Sequence, residues 1–201
     1  MYQWRALTED ERKELLKHRR EREYPMHSPP HYVGESGLYH LSAACYEHKP
    51  WIGLSPRRMT DFTRALLGVL KASGAEYDAW CVLPNHYHGL IKSDAVERTV
   101  AELGRLHGRA SFFWNGIDNS RGRKVWCSPA TRVIRSERHY WATMNYVHHN
   151  AVHHGYVEKW RHWPYTSAHE FLETMGEEEA TRLWKEYPIL DYGKGWDDPS
   201  L

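Results

Sequence analysis

A predicted β-hairpin around Pro84-Asn85 is the feature that most constrains the fold. Two short runs rich in strand-forming residues, Tyr77 to Leu83 and His86 to Lys92, flank this turn signal. Side chains in a strand alternate between the two faces of a sheet, so His86 and His88 point to the same side. The sequence therefore predicts a sheet that presents two neighbouring imidazoles on one face.

The elements around the hairpin predict an α+β domain. The predicted elements are a strand from Tyr39 to Glu47, a helix capped by Ser55 that runs to Gly74, a helix from about Ala95 to Phe113, a weak strand within Val125 to Ile134, and a helix from Ser136 to Gly155. Pro129 limits the weak strand to a sheet edge or a bulge. A capping pattern, Thr8 with Glu11, predicts a further helix toward Glu23. This order suggests a ferredoxin-like antiparallel sheet with helices packed on it.

Length and composition indicate one globular domain with additional segments at both ends. The chain has 201 residues, of which 41% are hydrophobic, enough for a sizeable core. It contains neither an apolar run long enough for a membrane helix nor a signal peptide, so we expect a cytoplasmic protein without a membrane partner. Cys45, Cys81 and Cys127 lie far apart and are odd in number, which favours buried free thiols over a disulfide framework.

Charge is distributed unevenly along the chain. The net charge is only +1, but the segment from Leu103 to His139 is basic and the segment from Glu170 to Leu201 is acidic. A basic segment is what binding to a phosphate backbone requires, and a solvated basic face is the alternative interpretation. The candidate DNA-binding cations are Arg121, Arg123, Lys124, Arg132, Arg135 and Arg138.

The long helix after Ser136 carries polar groups outside its apolar arc. Its predicted buried face comprises Tyr140, Trp141, Met144, Val147, Ala151 and Val152. The opposite side, predicted to be exposed, comprises Tyr146, His149, Asn150 and His153. Tyr146 and Asn150 are spaced i, i+4 and therefore stack one turn apart. A surface tyrosine that packs under the acidic tail is the structural alternative for Tyr146.

If this helix packs beside the histidine face of the sheet, a reactive site results. Two imidazoles, the Asn150 amide oxygen and the Tyr146 phenol would then meet. Two nitrogens and one oxygen leave positions open on an octahedral ion for phosphate oxygens, which suits Mg²⁺ or Mn²⁺ better than a structural zinc. The phenol is then a candidate nucleophile.

Two segments resemble a known family. The run LPNHYHGLI resembles the HUH motif (histidine, bulky residue, histidine) of one-tyrosine HUH endonucleases. The run RSERHYWATMNYVHHNAVHHGYVEKWRHWPYTSA is similar to the C-terminal signature of their REP-associated tyrosine transposase branch, a Tyr-x-x-x-Asn pair followed by a basic turn and a Trp-Pro segment. The chain departs from that pattern in two places. The segment WCSPAT, which includes Pro129, stands where relatives often carry an aspartate or other polar residues, and Ala151 stands where they usually carry proline.

The resemblance covers about residues 38–171 and implies one domain there. The ends do not match the family, and the sequence pattern predicts an N-terminal helix and irregular extension over 1–37 and an acidic tail over 172–201. The resemblance implies that His86, His88 and Asn150 bind Mg²⁺ or Mn²⁺ and that Tyr146 is the nucleophile. The implied activity is cleavage and strand transfer on single-stranded, hairpin-forming palindromic DNA through a 5′-phosphotyrosine intermediate. The sequence leaves open whether the active unit is a monomer or a homodimer.

Three alternatives remain open at this point. A zinc hydrolase could use His86, His88 and a third histidine such as His149 or His153, although no Asp or Glu lies near the pair in sequence to act as the base. A domesticated protein could bind DNA hairpins without cutting them. A ferredoxin-like RNA-binding module would need an aromatic pattern that the predicted strands lack.

Overall fold

The computed structural model describes residues 37–190 and Tyr192, together with Thr8, Asp10, Lys13, Glu14 and Lys17. Most of the helix predicted between Thr8 and Glu23 lies outside these residues. Among the described helices, none combines the length and the apolar character needed to cross a membrane.

The core of the fold is a four-stranded antiparallel sheet. Its strands are β1 (Leu38–Ala44), β2 (Glu76–Val82), β3 (His86–Lys92) and β4 (Ala130–Val133), in the order β2-β3-β1-β4. The helices are α1 (Pro56–Ala72), α2 (Val96–Ile117), α3 (Glu137–His153), α4 (Ala168–Met175) and α5 (Glu177–Glu186), and short 3-10 turns span Tyr46–His48, Ile52–Leu54 and Trp160–His162. The order β1-α1-β2-β3-α2-β4 confirms the predicted α+β, ferredoxin-like class.

Local signals in the sequence set the helix starts. The Ser55 hydroxyl accepts the Arg58 backbone N–H at 3.2 Å, and the Ser136 hydroxyl accepts the His139 backbone N–H at 3.1 Å. Each cap satisfies a backbone N–H that the first helical turn leaves without a partner. Both predicted caps are therefore confirmed.

Two element boundaries differ from the prediction by more than two residues. Helix α2 continues past Phe113 to Ile117 because Trp114 still lies on its buried side. Strand β1 ends at Ala44, since a 3-10 turn with Glu47 at a positive φ of 57° follows. The weak strand is short and lies at a sheet edge directly after Pro129, as expected for a residue that cannot donate to the ladder.

The two faces of the sheet have different coverings. Helices α1 and α2 cover one face, where Leu41, Tyr87 and Ile91 are buried. Helix α3 covers the other face, which carries Ala79 and Leu90. Cys45, Cys81 and Cys127 form no disulfide; the first two are buried, as expected, and Cys127 is half-buried.

The chain after α3 folds back over the outer side of that helix. Asn145 on α3 donates its amide to the Tyr187 carbonyl at 2.9 Å, and His148 packs among the rings of Trp160, Phe171 and Trp184. Helix α3 is consequently covered on two sides, by the sheet and by the segment that contains α4 and α5.

Candidate active site

Four side chains named from the sequence meet between β3 and α3. His86 Nε2 lies 3.0 Å from Asn150 Oδ1, and His88 Nε2 lies 3.5 Å from the Tyr146 hydroxyl. The two imidazole centroids are 5.1 Å apart with their planes at 78°. The alternation of β3 and the i, i+4 spacing on α3 thus bring two nitrogens, an amide oxygen and a phenol together.

The predicted exposure of the α3 polar side is wrong for two residues. Tyr146 is 2% exposed and Asn150 is 0% exposed, because this side of α3 faces the histidines of the sheet. Of the other two residues predicted to be exposed, His153 is exposed and His149 is half-buried. The apolar arc alone could not reveal that a polar side of the helix is also covered.

Asn85 determines the protonation of the His86 ring. The Asn85 amide nitrogen donates to the His48 carbonyl oxygen at 3.2 Å, which leaves the Asn85 amide oxygen 2.8 Å from His86 Nδ1. An amide oxygen can only accept, so His86 Nδ1 carries the hydrogen. In the neutral ring, His86 Nε2 then presents a lone pair toward Asn150.

His40 on β1 is a member of the cluster that sequence reasoning missed. His40 Nε2 lies 3.0 Å from His88 Nδ1, and the two rings stack at a centroid distance of 5.1 Å. The alternation of side chains along β1 already places His40 and Ser42 on one face of the sheet. The pairing of β1 with β3 was needed to see that this face is the histidine face.

The residues present fit a divalent cation. His86 Nε2 and Asn150 Oδ1 are both acceptors and face each other, while Asn150 Nδ2 has no hydrogen-bond partner among the described residues. A cation between the two acceptors would satisfy both, and His88 Nε2 lies on the same face. Two imidazole nitrogens and one amide oxygen suit Mg²⁺ or Mn²⁺ with positions left open.

His149, one of the two histidines considered as the third zinc ligand, makes its contacts away from the pair. His149 Nδ1 lies 3.1 Å from the Asn145 carbonyl oxygen, and the His149 ring packs against Trp160. Within the described part of the chain, no group of three or more His, Cys, Asp or Glu side chains could hold a metal. The nearest additional imidazole to His86 is His154, at a centroid distance of 4.7 Å.

Tyr192 lies over the cluster from the C-terminal side. Its ring centroid is 5.5 Å from that of Tyr146 and 6.0 Å from that of His40. Its hydroxyl lies 2.6 Å from Thr143 Oγ1 and 3.3 Å from His139 Nε2. Burial raises the pKa of Tyr192 to about 12, so this second phenol is neutral at physiological pH.

The six predicted DNA-binding cations form two groups. The loop after α2 carries the first group, in which Arg123 donates to Asp118 at 2.6 Å. Hydrogen bonds from Arg58 and Arg123 lower the pKa of Asp118 to about 2. Arg121 and Lys124 lie over aromatic rings of the protein, with their charged groups 4.4 and 4.5 Å from the ring centroids. Asp118 is shared between Arg58 and Arg123, so it offsets only part of the charge of Arg123.

The second group lies beside the cluster. Arg132, Arg135 and Arg138 are exposed at the end of β4 and the start of α3. Arg132 is paired with His40 across the β1–β4 ladder, so the two side chains share a face of the sheet. Burial, and then the charges of Arg135 and Arg132, lower the pKa of His139. Positive charge therefore borders the cluster on this side.

Comparison with known proteins gives a likeness in fold. The sequence matches no protein-family model, and no curated protein matches it. Among solved structures, it is similar to a predicted transposase from Deinococcus radiodurans R1, with a TM-score of 0.39 and 18% identity over 63% of this chain and 92% of that one. It is also similar to a REP-associated tyrosine transposase bound to a REP hairpin, with a TM-score of 0.54 and 19% identity over 69% of this chain and 81% of that one. The chain therefore has the fold of the REP-associated tyrosine transposase.

Proposed function

We propose that the chain is a metal-dependent single-stranded DNA endonuclease and strand transferase, a transposase that acts on hairpin-forming palindromic DNA. The observation that carries the proposal is the buried cluster in which the Tyr146 phenol adjoins His88 while His86 adjoins Asn150. A phenol beside a set of metal donors is suited to phosphoryl transfer to tyrosine. The fold shared with a transposase that was solved with a REP hairpin supports hairpin DNA as the substrate.

Tyr146 supplies the nucleophile of the proposed reaction. Its phenolic oxygen attacks the scissile phosphorus and forms a new P–O bond, the bond to the 3′-oxygen breaks, and the phenolic proton passes to solvent. The 3′-oxygen takes up a proton and leaves as a hydroxyl, so a 5′-phosphotyrosine remains. Because one phosphodiester is exchanged for another, a DNA 3′-hydroxyl can reverse the step and join strands without ATP.

His86, His88 and Asn150 are the proposed ligands of Mg²⁺ or Mn²⁺. When bound there, the ion would polarise the scissile phosphate and offset the charge of the transition state. Asn85 supports this role, because it directs the lone pair of His86 Nε2 toward Asn150. All three proposed ligands are buried in the protein.

The cations flank the proposed path of the DNA. The segment after α2 runs antiparallel to β1, from the bridge between Cys45 and Trp126 to the pairing of His40 with Arg132. Along the chain, the group of Arg121, Arg123 and Lys124 therefore comes just before the stretch that lies beside the His86 end of the site. The group of Arg132, Arg135 and Arg138 begins beside the His40 end. We propose that the exposed second group contacts phosphates most directly, because Arg123 is already paired with Asp118.

The test is a search for a covalent protein–DNA adduct. Purified protein is incubated with labelled single-stranded hairpin oligonucleotides from the flanks of its own gene, with Mn²⁺ or with EDTA, and resolved on a denaturing gel. We expect a metal-dependent adduct that disappears in Tyr146→Phe. Tyr140→Phe is the matched control, because Tyr140 lies on the same helix but donates to Asp78 at 3.0 Å, away from the histidines.

Other outcomes would redirect the proposal. An adduct that persists in Tyr146→Phe but is lost in Tyr192→Phe would assign the nucleophile to the second phenol of the cluster. Tight hairpin binding without any adduct under any divalent metal would overturn the nuclease and favour a domesticated hairpin-binding protein.

A further inference from the structure

We propose that His40 is a positioning residue that holds His88 in the tautomer with its hydrogen on Nδ1, so that Nε2 presents its lone pair for binding metal. This inference rests on the proposed function for its catalytic meaning. The positioning role itself depends on one buried hydrogen bond, between His40 Nε2 and His88 Nδ1.

The geometry of this pair is that of two strand neighbours on one face. Ser42 on β1 lies directly opposite His88 on β3, so His40 is the diagonal neighbour of His88 on the same face. The two nitrogens are 3.0 Å apart, a normal hydrogen-bond length. His40 is 2% exposed and His88 is 1% exposed, so bulk water does not compete for this bond.

The direction of the hydrogen bond follows from the group on the other side of His88. A phenol is a better donor than acceptor toward an imidazole nitrogen, because its oxygen is less basic than that nitrogen. Tyr146 therefore donates toward His88 Nε2, across 3.5 Å. His88 Nδ1 must then carry the ring hydrogen and donate it to His40 Nε2.

His40 and Asn85 consequently have parallel roles on the two histidines. Asn85 accepts the Nδ1 hydrogen of His86 at 2.8 Å, and His40 accepts the Nδ1 hydrogen of His88. Both Nε2 atoms then present lone pairs toward α3. Without His40, the Nδ1–H of a buried His88 loses its acceptor, which favours the other tautomer, in which the Nε2 hydrogen blocks metal binding.

The test compares two substitutions at His40 with one at another buried histidine. His40→Leu removes the acceptor, whereas His40→Gln keeps a polar atom near the place of the imidazole Nε2 and provides a second variant if the first folds poorly. His107→Leu is the matched control, because His107 is also buried but bonds to the Tyr87 hydroxyl on the opposite face of the sheet.

Two readouts are measured on each protein. Long-range ¹H–¹⁵N spectra of the metal-free protein report which nitrogen of His88 carries the hydrogen. Titration with Mn²⁺, followed by electron paramagnetic resonance, reports affinity. We expect the Nδ1–H tautomer in wild type and in His107→Leu, and a loss of that tautomer in His40→Leu with a roughly 10- to 100-fold weaker Mn²⁺ affinity, as for other outer-shell partners of metal ligands. His40→Gln should recover most of both.

The tautomer decides the inference independently of the nuclease activity. A wild-type spectrum with the hydrogen on His88 Nε2, or a His40→Leu protein with unchanged tautomer and unchanged Mn²⁺ affinity, would overturn the role of His40. A wild-type protein that shows the expected tautomer but forms no DNA adduct would overturn the proposed function and leave the positioning role of His40 standing.

Discussion

Asn150 is completely buried, and its Nδ2 has no partner among the residues that the structure describes. An unpaired buried amide nitrogen costs about 1–3 kcal/mol of stability. We therefore predict that Asn150→Leu leaves the free energy of unfolding unchanged or raises it by about 1 kcal/mol, while Mn²⁺ affinity and adduct formation are lost. Denaturation by guanidinium chloride and Mn²⁺ titration on the same variant test both parts.

The control for this prediction lies five residues earlier on α3. Asn145 is also buried, but its amide donates to the carbonyls of Trp184 and Tyr187. Asn145→Leu should therefore lower the free energy of unfolding by about 1–3 kcal/mol, since two carbonyls lose their donor. An equal loss of stability in both variants would mean that Asn150 is held for folding and not for a ligand.

Residue identities at the site were easier to predict than residue environments. The spacing of His86 and His88, and of Tyr146 and Asn150, is a local property of one strand and one helix. Burial of Tyr146 is not local, because it depends on which side of α3 faces the sheet and on the segment that covers the other side. The role of His40 required the register of β1 against β3, which a single sequence does not contain.

At the scale of elements, the turn before β3 is held by the 3-10 turn Ile52–Leu54. The Gly53 N–H donates to the Pro84 carbonyl at 2.9 Å, and a Cβ at Gly53 would lie 2.3 Å from Pro84 Cβ and 2.8 Å from Pro84 Cα. Gly53→Ala must therefore displace the turn that carries Asn85 and His86. We predict a loss of about 1–3 kcal/mol in stability, as for other overpacked sites, together with weaker Mn²⁺ binding.

A second glycine provides the comparison for this prediction. Gly68 lies in α1, is exposed, and has no atom within 4 Å of the position of an added Cβ. Gly68→Ala should raise stability by roughly 0.5–1 kcal/mol through helix propensity alone and should leave Mn²⁺ affinity unchanged. If Gly53→Ala is as well tolerated as Gly68→Ala in thermal denaturation, the Ile52–Leu54 turn and the turn at Pro84 are not packed against each other as described.

Elements were predictable where a signal in the chain marks an end. Ser55 and Ser136 cap their helices, and Pro129 restricts its strand to an edge, because these residues act on backbone groups close to them in sequence. The order of strands in the sheet followed from the ferredoxin-like pattern as a class. The C-terminal helices α4 and α5 are held by aromatic contacts, including one from Trp184 to His148 of α3, between residues that are distant in sequence and that no local signal marks.

At the scale of the whole molecule, the two faces of the sheet divide stability and chemistry. The face under α3 carries the polar cluster, and the face under α1 and α2 carries the larger apolar core. Within that core His107 accepts a hydrogen bond from the Tyr87 hydroxyl at 3.1 Å and stacks on Trp126 at a centroid distance of 4.1 Å. Burial also raises the pKa of Tyr87, which keeps that phenol protonated as the donor.

The buried His107 predicts how the stability of the molecule depends on pH. Burial lowers the pKa of His107 from 6.5 to about 3. Between these values the unfolded chain binds a proton that the folded chain does not, so stability falls as the pH drops from about 6.5 toward 3. For this one group the loss is roughly 2 kcal/mol at pH 5. Guanidinium chloride unfolding of wild type at pH 7 and pH 5 measures the total fall in stability.

The variant His107→Gln isolates the share of this residue. Glutamine keeps an acceptor for the Tyr87 hydroxyl but does not titrate, so its difference in stability between pH 7 and pH 5 should be smaller than that of wild type by roughly 2 kcal/mol. Other buried histidines such as His148, whose pKa burial also lowers to about 3, contribute equally to both proteins and cancel. An identical pH dependence in wild type and His107→Gln would show that the ring gains a proton within the fold, through local opening of the contact between α2 and the sheet.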